Sequence, residues 1–322
     1  MQPHQAPRIK IRSQQDWIKY TSDNPQATGA DLHVLRTNCY RDIEALRQRP
    51  LLVYAVNMAA TRGAPTLIEP SDVDGFTDMI NSLKGHKAVD VLIHSPGGMP
   101  DATERIVSIL RGAFEEVHFL IPHSAYSAAT MLALSGNSIT MHTSATLGPI
   151  DPQLGGTPAR AIKKGFERVR DLLKEEGASS LPAYLPLLEK YSLELLEVCS
   201  DSEFLSRKLV KEWIVTYMLK GKEVDEVQVD KVVEFFADYE NHLTHSRPLM
   251  YHKLSEFGLP VHTADEYLCE LLWEAYILLN NFFSATPIVK IFETTRGISW
   301  GRQSQQIQFQ MPVQVVPPQV IS

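Results

Sequence analysis

Two short segments of the chain supply the kind of groups that hydrolysis of an acyl bond needs. Pro96-Gly97-Gly98 follows an apolar run, and Ser127 follows a second apolar run and opens the stretch Ala-Ala-Thr-Met-Leu-Ala-Leu. Two glycines admit backbone conformations closed to other residues and can turn a bare N–H toward a cleft. A serine at a helix start lies beside the unpaired N–H of the next residue, here Ala128. The pair predicts a serine nucleophile next to an oxyanion hole.

Each segment alone also has a plain structural interpretation. A lone Pro-Gly-Gly predicts only a tight connection from a strand to a helix. An isolated serine before a helix predicts only an N-cap. The combination of the two segments, about thirty residues apart, is what favours chemistry.

The elements that would position these segments alternate along the first half of the chain. Short apolar runs predict buried parallel strands, and runs with helical spacing predict the helices between them. The predicted strands are 51–56, 88–94, 117–122 and 138–142, and the predicted helices are 72–84, 101–113 and 127–135. Alternation of this length predicts an α/β fold with a parallel sheet.

The second half of the chain has helical spacing without strand-like alternation. Helices are predicted over 159–176, 184–198, 206–220, 227–244, 250–257 and 263–281. We therefore expect an N-terminal helical extension over 1–49, a catalytic domain over 50–290 with a helical layer from about 159, and a disordered tail over 297–322 that is rich in Gln, Pro and Val.

Four segments carry a resemblance to a known family. They read Arg-Pro-Leu-Leu-Val-Tyr at 49–54, His-Ser-Pro-Gly-Gly at 94–98, Tyr-Ser-Ala-Ala-Thr-Met-Leu-Ala-Leu at 126–134 and Leu-Gly-Pro-Ile-Asp-Pro-Gln at 147–153. With these motifs the chain resembles the serine dehydrogenase proteinase group of the Clp-fold, crotonase-like serine peptidases, which are related to signal peptide peptidase A. The resemblance implies a Clp/crotonase-like core of repeated ββα units with a largely helical C-terminal half.

The resemblance also implies roles for three residues. Ser127 would be the nucleophile, and the N–H groups of Gly98 and Ala128 would form the oxyanion hole. Each such donor lowers the barrier by about 3 kcal/mol. The activity implied is that of a serine endopeptidase acting through an acyl-enzyme.

A serine nucleophile needs a base, and the sequence leaves several candidates. Relatives of signal peptide peptidase A use a lysine, and Lys208 is our first choice because it lies near the expected start of the helix from Ser206. The alternatives are Lys163, Lys164, Lys211 and His142. Asp151 could orient a base, but its position before a proline favours bracing of the loop.

Other histidines and motifs indicate no cofactor. His242 and His245 have a spacing that could hold a metal, yet no third ligand accompanies them, and a position at a helix end explains them equally well. The chain contains no Gly-x-Gly-x-x-Gly or Walker pattern for nucleotides. We expect neither a metal nor a cofactor.

The composition of the chain limits the kinds of partner and the cellular location that we expect for it. The 322 residues carry a formal charge of −7, which argues against a surface that binds nucleic acid. No apolar run of membrane-spanning length or secretion-signal type is found, and three widely spaced cysteines fit reduced thiols, so we expect a cytoplasmic protein. Apolar residues of the helical half, including Trp213, Phe235, Phe236 and Tyr239, would serve a homo-oligomer interface.

Two other functions share the predicted fold. A crotonase-like acyl-CoA enzyme would use the same two backbone donors on a thioester enolate without a serine nucleophile. A catalytically weak scaffold that binds a partner through its helical half is the third possibility. Peptide hydrolysis through Ser127 is our leading prediction.

Overall fold

A seven-stranded sheet forms the centre of the molecule. The structure is a computed structural model, and it describes residues 8–61, 63–189 and 192–304. The strands within these ranges are β1 (Leu51–Val56), β2 (Ala88–His94), β3 (Glu116–Ile121), β4 (Ser124–Ala125), β5 (Ser138–Met141), β6 (Thr146–Leu147), β7 (Gln153–Leu154), β8 (Thr157–Pro158), β9 (Leu249–Met250), β10 (Val261–Thr263), β11 (Ile288–Thr294) and β12 (Ser299–Gln303).

The main sheet has the order β10-β5-β3-β2-β1-β11-β12. The five strands from β10 to β1 are parallel, whereas β11 pairs antiparallel with both β1 and β12. Two small sheets accompany it, β4-β6-β9 and β7-β8. The predicted α/β fold with a parallel sheet is thus confirmed.

Helices cover both faces of the main sheet. They are α1 (Gln14–Asp23), α2 (Gly29–Arg47), α3 (Asp72–Ser82), α4 (Pro100–Ala113), α5 (Ala128–Leu134), α6 (Ala159–Glu176), α7 (Leu181–Leu188), α8 (Leu193–Trp213), α9 (Glu226–Ala237), α10 (Tyr239–His242), α11 (Tyr251–Leu254) and α12 (Glu266–Ala285). A π-helical segment, Ile214–Met218, continues α8.

The burial of strand β1 on both faces explains why its sequence is apolar throughout. Leu52, Tyr54 and Val56 belong to the core that includes residues of α3, α4, α5, α8 and α9. The alternate residues Leu51 and Val53 belong to the core formed with α2 and α12. A strand buried on both faces cannot alternate apolar with polar residues.

The N-terminal extension is more than a peripheral segment. Leu35, Cys39 and Ile43 of α2 are buried, and α2 packs along α12 beneath the main sheet. The extension therefore completes the core on one face of the main sheet.

The C-terminal half is largely helical, as predicted, but it also contributes strands that its sequence pattern did not indicate. Ile288–Thr294 forms β11 beside β1, and Ser299–Gln303 forms β12. The expected disordered tail therefore cannot begin at 297, while residues 305–322 lie outside the described residues. Charged Lys290 and Glu293 interrupt the apolar pattern of β11 because both are buried in ion pairs.

Candidate active site

Ser127 lies in a sharp turn between β4 and α5. Its backbone has φ 53° and ψ −123°, a conformation that non-glycine residues rarely adopt. Such strain costs about 1–3 kcal/mol and concentrates at functional sites. The same kind of strained strand-to-helix turn exposes the nucleophile of α/β-hydrolases.

The double-glycine turn lies directly against Ser127. A Cβ atom built on Gly97 would stand 2.7 Å from Cβ of Ser127 and 2.9 Å from N of Ala128. The two segments are joined just before they reach this point, because Ser95 N donates to Ser124 O at 3.1 Å and Tyr126 N donates to Ser95 O at 3.0 Å. The structure thus brings together the two segments that the sequence singled out.

The backbone of Gly98 is positioned by hydrogen bonds between its neighbours and Ile68. Ile68 N donates to Gly97 O at 2.8 Å, and Met99 N donates to Ile68 O at 2.9 Å. Ile68 and Gly98 form a parallel β-bridge, in which both hydrogen bonds of Ile68 go to the residues on either side of Gly98. The N–H of Gly98 therefore points away from Ile68. A Cβ on Gly98 would collide with Ile68 O, so only glycine fits at this position.

The two backbone donors remain available for a ligand. Ala128 is the first residue of α5, so its N–H has no partner within the helix. Over the described ranges, neither the N–H of Ala128 nor that of Gly98 donates a hydrogen bond to another protein group. This geometry matches the requirement for an oxyanion hole, namely fixed donors near a nucleophile.

A histidine and an aspartate that are distant in sequence form a pair. His245 Nδ1 lies 2.8 Å from Asp151 Oδ1, and the Asp151 side chain is 4% exposed. Since a carboxylate only accepts, His245 Nδ1–H is the donor and Nε2 is left free to take a proton. Asp151 Oδ2 is buried without a partner among the described residues.

The small β4-β6-β9 sheet relates this pair to Ser127. β4 and β6 are parallel, and β6 and β9 are antiparallel. Ser127 follows β4, Asp151 follows β6 and His245 precedes β9, so all three leave the small sheet at the same end. Gly148 tightens the arrangement, since a Cβ on it would lie 2.5 Å from the Tyr126 ring.

The segments that carry the pair are also tied to each other. Ile150 N donates to Phe236 O at 2.8 Å, which joins the Asp151 loop to the end of α9. His242 Nε2 lies 2.5 Å from Phe235 O, so this histidine anchors the chain that leads to His245. The sequence analysis considered His245 only as a possible metal ligand or helix-end residue, and it favoured loop bracing over orientation of a base for Asp151. The only signal for the pair was the presence of both residue types, since they lie 94 positions apart.

Lys208 does not occupy the position expected of it. Helix α8 begins at Leu193 rather than at Ser206, so Lys208 lies in its interior, and its side chain is exposed. A lysine serves as a base only where burial favours its neutral form. The prediction that Lys208 lies at a helix start was therefore wrong, and the reason for assigning it a catalytic role no longer holds.

The other candidate bases have partners elsewhere. Lys163 pairs with Glu203 and Lys164 pairs with Glu240, at 2.8 and 2.6 Å respectively. Lys211 pairs with Asp230 at 2.6 Å on the exposed side of α8.

His142, the remaining candidate, stacks on Trp273 with ring centroids 5.3 Å apart, and its Nδ1 lies 2.8 Å from Ser144 Oγ. Burial lowers the pKa of His142.

Metal sites and membrane spans are not found in the described part of the chain. Among residues 8–61, 63–189 and 192–304, no group of three or more His, Cys, Asp or Glu is arranged to hold a metal ion. Over the same ranges no helix combines the length and apolar composition needed to cross a bilayer.

Comparison with known proteins identifies relatives of the chain. The model of the ClpP-like SDH-type serine proteinase family matches residues 20–176. Two uncharacterized proteins of Methanocaldococcus jannaschii are similar. One is 31% identical over 236 residues, which is 71% of this chain and 72% of the relative, and the other is 30% identical over 148 residues, which is 45% and 52% respectively.

Solved structures of one protease also match. They are a serine-to-alanine mutant of 1510-N, a membrane-bound stomatin-specific protease, and a lysine-to-alanine mutant of it in complex with a substrate peptide. The first is 15% identical with a TM-score of 0.38 and covers 63% of this chain and 77% of its own. The second is 16% identical with a TM-score of 0.39 and covers 62% and 73%. The resemblance seen in the sequence motifs is confirmed by the family match, and the chain belongs to the ClpP-like SDH-type serine proteinase family.

Proposed function

We propose that the protein is a serine endopeptidase whose catalytic groups are Ser127, His245 and Asp151. The family indicates a serine peptidase that acts on peptides or proteins. The observation that carries the finer assignment is the His245–Asp151 pair at the end of the small sheet where Ser127 also lies. His245 replaces Lys208 as the proposed base because it is oriented by a buried carboxylate, as the base of a catalytic triad must be.

The proposed reaction has two halves. Ser127 Oγ attacks the carbonyl carbon of the scissile bond while its proton passes to His245 Nε2. The resulting oxyanion accepts hydrogen bonds from the N–H groups of Gly98 and Ala128. The C–N bond then breaks, the amine leaves with the proton from His245, and an ester on Ser127 remains. Water hydrolyses that ester in the second half, with His245 again accepting and returning a proton.

Labelling with a fluorophosphonate tests the assignment of each group. We expect covalent labelling of the wild type and none of Ser127→Ala. His245→Gln should lower the labelling rate by roughly 100- to 10,000-fold, because a general base is lost, and Asp151→Asn should also lower it. The matched control is His252→Gln, an exposed histidine outside the pair, which should label at the wild-type rate.

The outcomes separate the candidate bases and functions. Equal labelling of wild type and Ser127→Ala rejects the nucleophile. A wild-type labelling rate in His245→Gln together with a large loss of labelling rate in Lys208→Ala would show that Lys208, and not His245, is the base. Folded protein that takes up no label but turns over an acyl-CoA supports the crotonase-like alternative, and folded protein that does neither supports the scaffold.

A homo-oligomer and a cytoplasmic location belong to the same proposal. Two of the aromatic residues expected at an interface, Trp213 and Phe236, are instead in the core. Large apolar side chains are exposed on α7 and α8 instead, namely Leu181, Leu185, Val198 and Phe204. Light scattering that gave a monomer at micromolar concentration would contradict the proposed oligomer. Recovery of the protein in a membrane or secreted fraction would contradict the proposed cytoplasmic location.

A further inference from the structure

Lys290 lies fully buried on β11 and makes contacts that do not involve the proposed catalytic groups. Its Nζ donates to both carboxylate oxygens of Asp72 and to the backbone oxygen of Leu67, each at 2.8 Å. Tyr54 Oη donates to Asp72 Oδ2 at 2.9 Å, and Glu69 N donates to the same oxygen at 3.2 Å. All three donor positions of the ammonium group are therefore used.

Stability alone is a weak reason for such a network. A buried ion pair loses hydration that its mutual attraction only partly restores, and well-packed apolar residues often replace one without loss. An ammonium group can, however, fix a backbone carbonyl, which an apolar side chain cannot do. Here the fixed carbonyl belongs to Leu67, whose own side chain is 54% exposed and provides little anchorage.

Leu67 is directly followed by the residue that backs the double-glycine turn. Ile68 bonds to Gly97 O and to Met99 N, and its backbone is in contact distance of Gly98. A displacement of the Leu67–Ile68 backbone would therefore move the N–H of Gly98. An oxyanion donor is effective only when it is held in place before the charge develops.

We propose that the buried Lys290–Asp72–Tyr54 network is a positioning device that fixes the Gly98 donor of the oxyanion hole through the Leu67–Ile68 backbone. The inference rests on the proposed function. It makes Lys290 a positioning residue that acts from the opposite side of the Ile68 segment, with no contact to substrate.

The test removes the ammonium group and its counter-charge together. In the double variant Lys290→Met/Asp72→Asn no buried charge is left unpaired, and the introduced amide can still accept from Tyr54, but Leu67 O loses its donor. We expect kcat on a fluorogenic peptide and the fluorophosphonate labelling rate to fall about 10- to 100-fold, with KM little changed. Affinity for a peptide aldehyde, whose adduct places an oxyanion in the hole, should fall by the same factor.

A second buried ion pair on the same strand provides the control. Glu293 pairs with Arg36 of α2 at 2.7 Å, on the face of β11 that packs away from the Leu67 segment. Arg36→Met/Glu293→Gln should keep the wild-type aldehyde affinity. Tyr54→Phe removes only one hydroxyl and should give a several-fold loss in kcat with the fold intact.

Each outcome bears on the inference separately from the proposed function. Normal labelling of the wild type at Ser127, combined with wild-type kinetics and aldehyde affinity in the folded Lys290/Asp72 double variant, overturns the inference alone. If that variant does not fold, unchanged kinetics in Tyr54→Phe overturns it. An equal loss in the Arg36/Glu293 control also overturns it. Absence of labelling in the wild type removes the proposed function and this inference with it.

Discussion

At the residue scale, the candidate site depends on close backbone approaches that only small residues permit. Gly97, Gly98 and Gly148 each lie where a Cβ would meet another backbone or ring atom within 3 Å. They let three loops converge, and in the proposed mechanism Gly98 also supplies a backbone N–H to the oxyanion hole. Substitution at these positions should therefore affect rate through displacement of neighbouring groups.

Gly98→Ala should lower the fluorophosphonate labelling rate on the order of 100-fold, because its Cβ would collide with Ile68 O and shift the N–H of residue 98. Gly112→Ala is the matched control, since a Cβ there meets nothing within 4 Å and the residue lies in α4. The control should stabilise the protein by about 0.5–1 kcal/mol and leave the rate unchanged. Wild-type labelling of Gly98→Ala would contradict the role of this glycine.

Backbone strain at Ser127 predicts an unusual order of stabilities. At φ 53° glycine is less strained than alanine, so Ser127→Gly should be more stable to urea than Ser127→Ala by about 1 kcal/mol. At Ser108, inside α4, the order should reverse because glycine destabilises a helix interior. The same order at both positions would show that Ser127 carries no strain in solution.

At the element scale, α5 and the small β4-β6-β9 sheet hold the proposed nucleophile and the proposed base at the same end of that sheet. Thr130 of α5 joins them: its hydroxyl lies 2.7 Å from Ala125 O and 2.9 Å from Gly148 O, and it accepts from Gly148 N at 3.0 Å. One buried hydroxyl thus links the turn before Ser127 to the loop that leads to Asp151.

Thr130→Val should lower the free energy of unfolding by about 2 kcal/mol, because it keeps the shape of the side chain but removes the hydroxyl that lies within hydrogen-bond distance of buried Ala125 O and Gly148 O. Gly148 N–H keeps Ala125 O as an acceptor at 3.1 Å. The substitution should also slow labelling of Ser127. Thr130→Ser should retain both properties. Thr77→Val is the control, since the Thr77 hydroxyl bonds only within its own helix. A loss no larger than that of the control would show that the link is unimportant.

At the scale of the whole molecule, both faces of the sheet are covered, and several polar groups are enclosed as a result. His94, at the end of β2, is one of them, packed edge-on to the rings of His123 and Tyr276. Burial, assisted by the neighbouring His123, lowers the pKa of His94 from 6.5 to about 4. The folded protein therefore holds this imidazole neutral where the unfolded chain would protonate it.

This difference predicts a loss of stability in acid. Between pH 6.5 and about 4 the unfolded state binds a proton at His94 that the folded state does not, so the free energy of unfolding falls as pH falls. The contribution over that range is about 3 kcal/mol. His94→Phe should reduce the pH dependence of urea unfolding by about that amount, whereas His86→Phe, at an exposed histidine, should not. Equal slopes for wild type and His94→Phe would refute the assignment.

Parts of the fold were predictable because their signals are local. The continuous apolar run of β1, the mostly apolar run of β2 and the small residues of α5 match the elements that form there. β11 was missed because the burial of its Lys290 and Glu293 depends on partners on other elements, Asp72 and Arg36. A charge in a sequence gives no sign that it will be paired and buried.

The difference between local and long-range signals also explains which parts of the candidate site could be predicted from the sequence. The sequence by itself determined the glycine turn, the serine turn and the family, because each is written in a few adjacent residues whose backbone requirements are strict. Only the tertiary structure joined His245 to Asp151 and separated Lys208 from its expected helix start. That pairing arises from strands β6 and β9, which meet only after about a hundred intervening residues have folded into helices, and no local pattern records it.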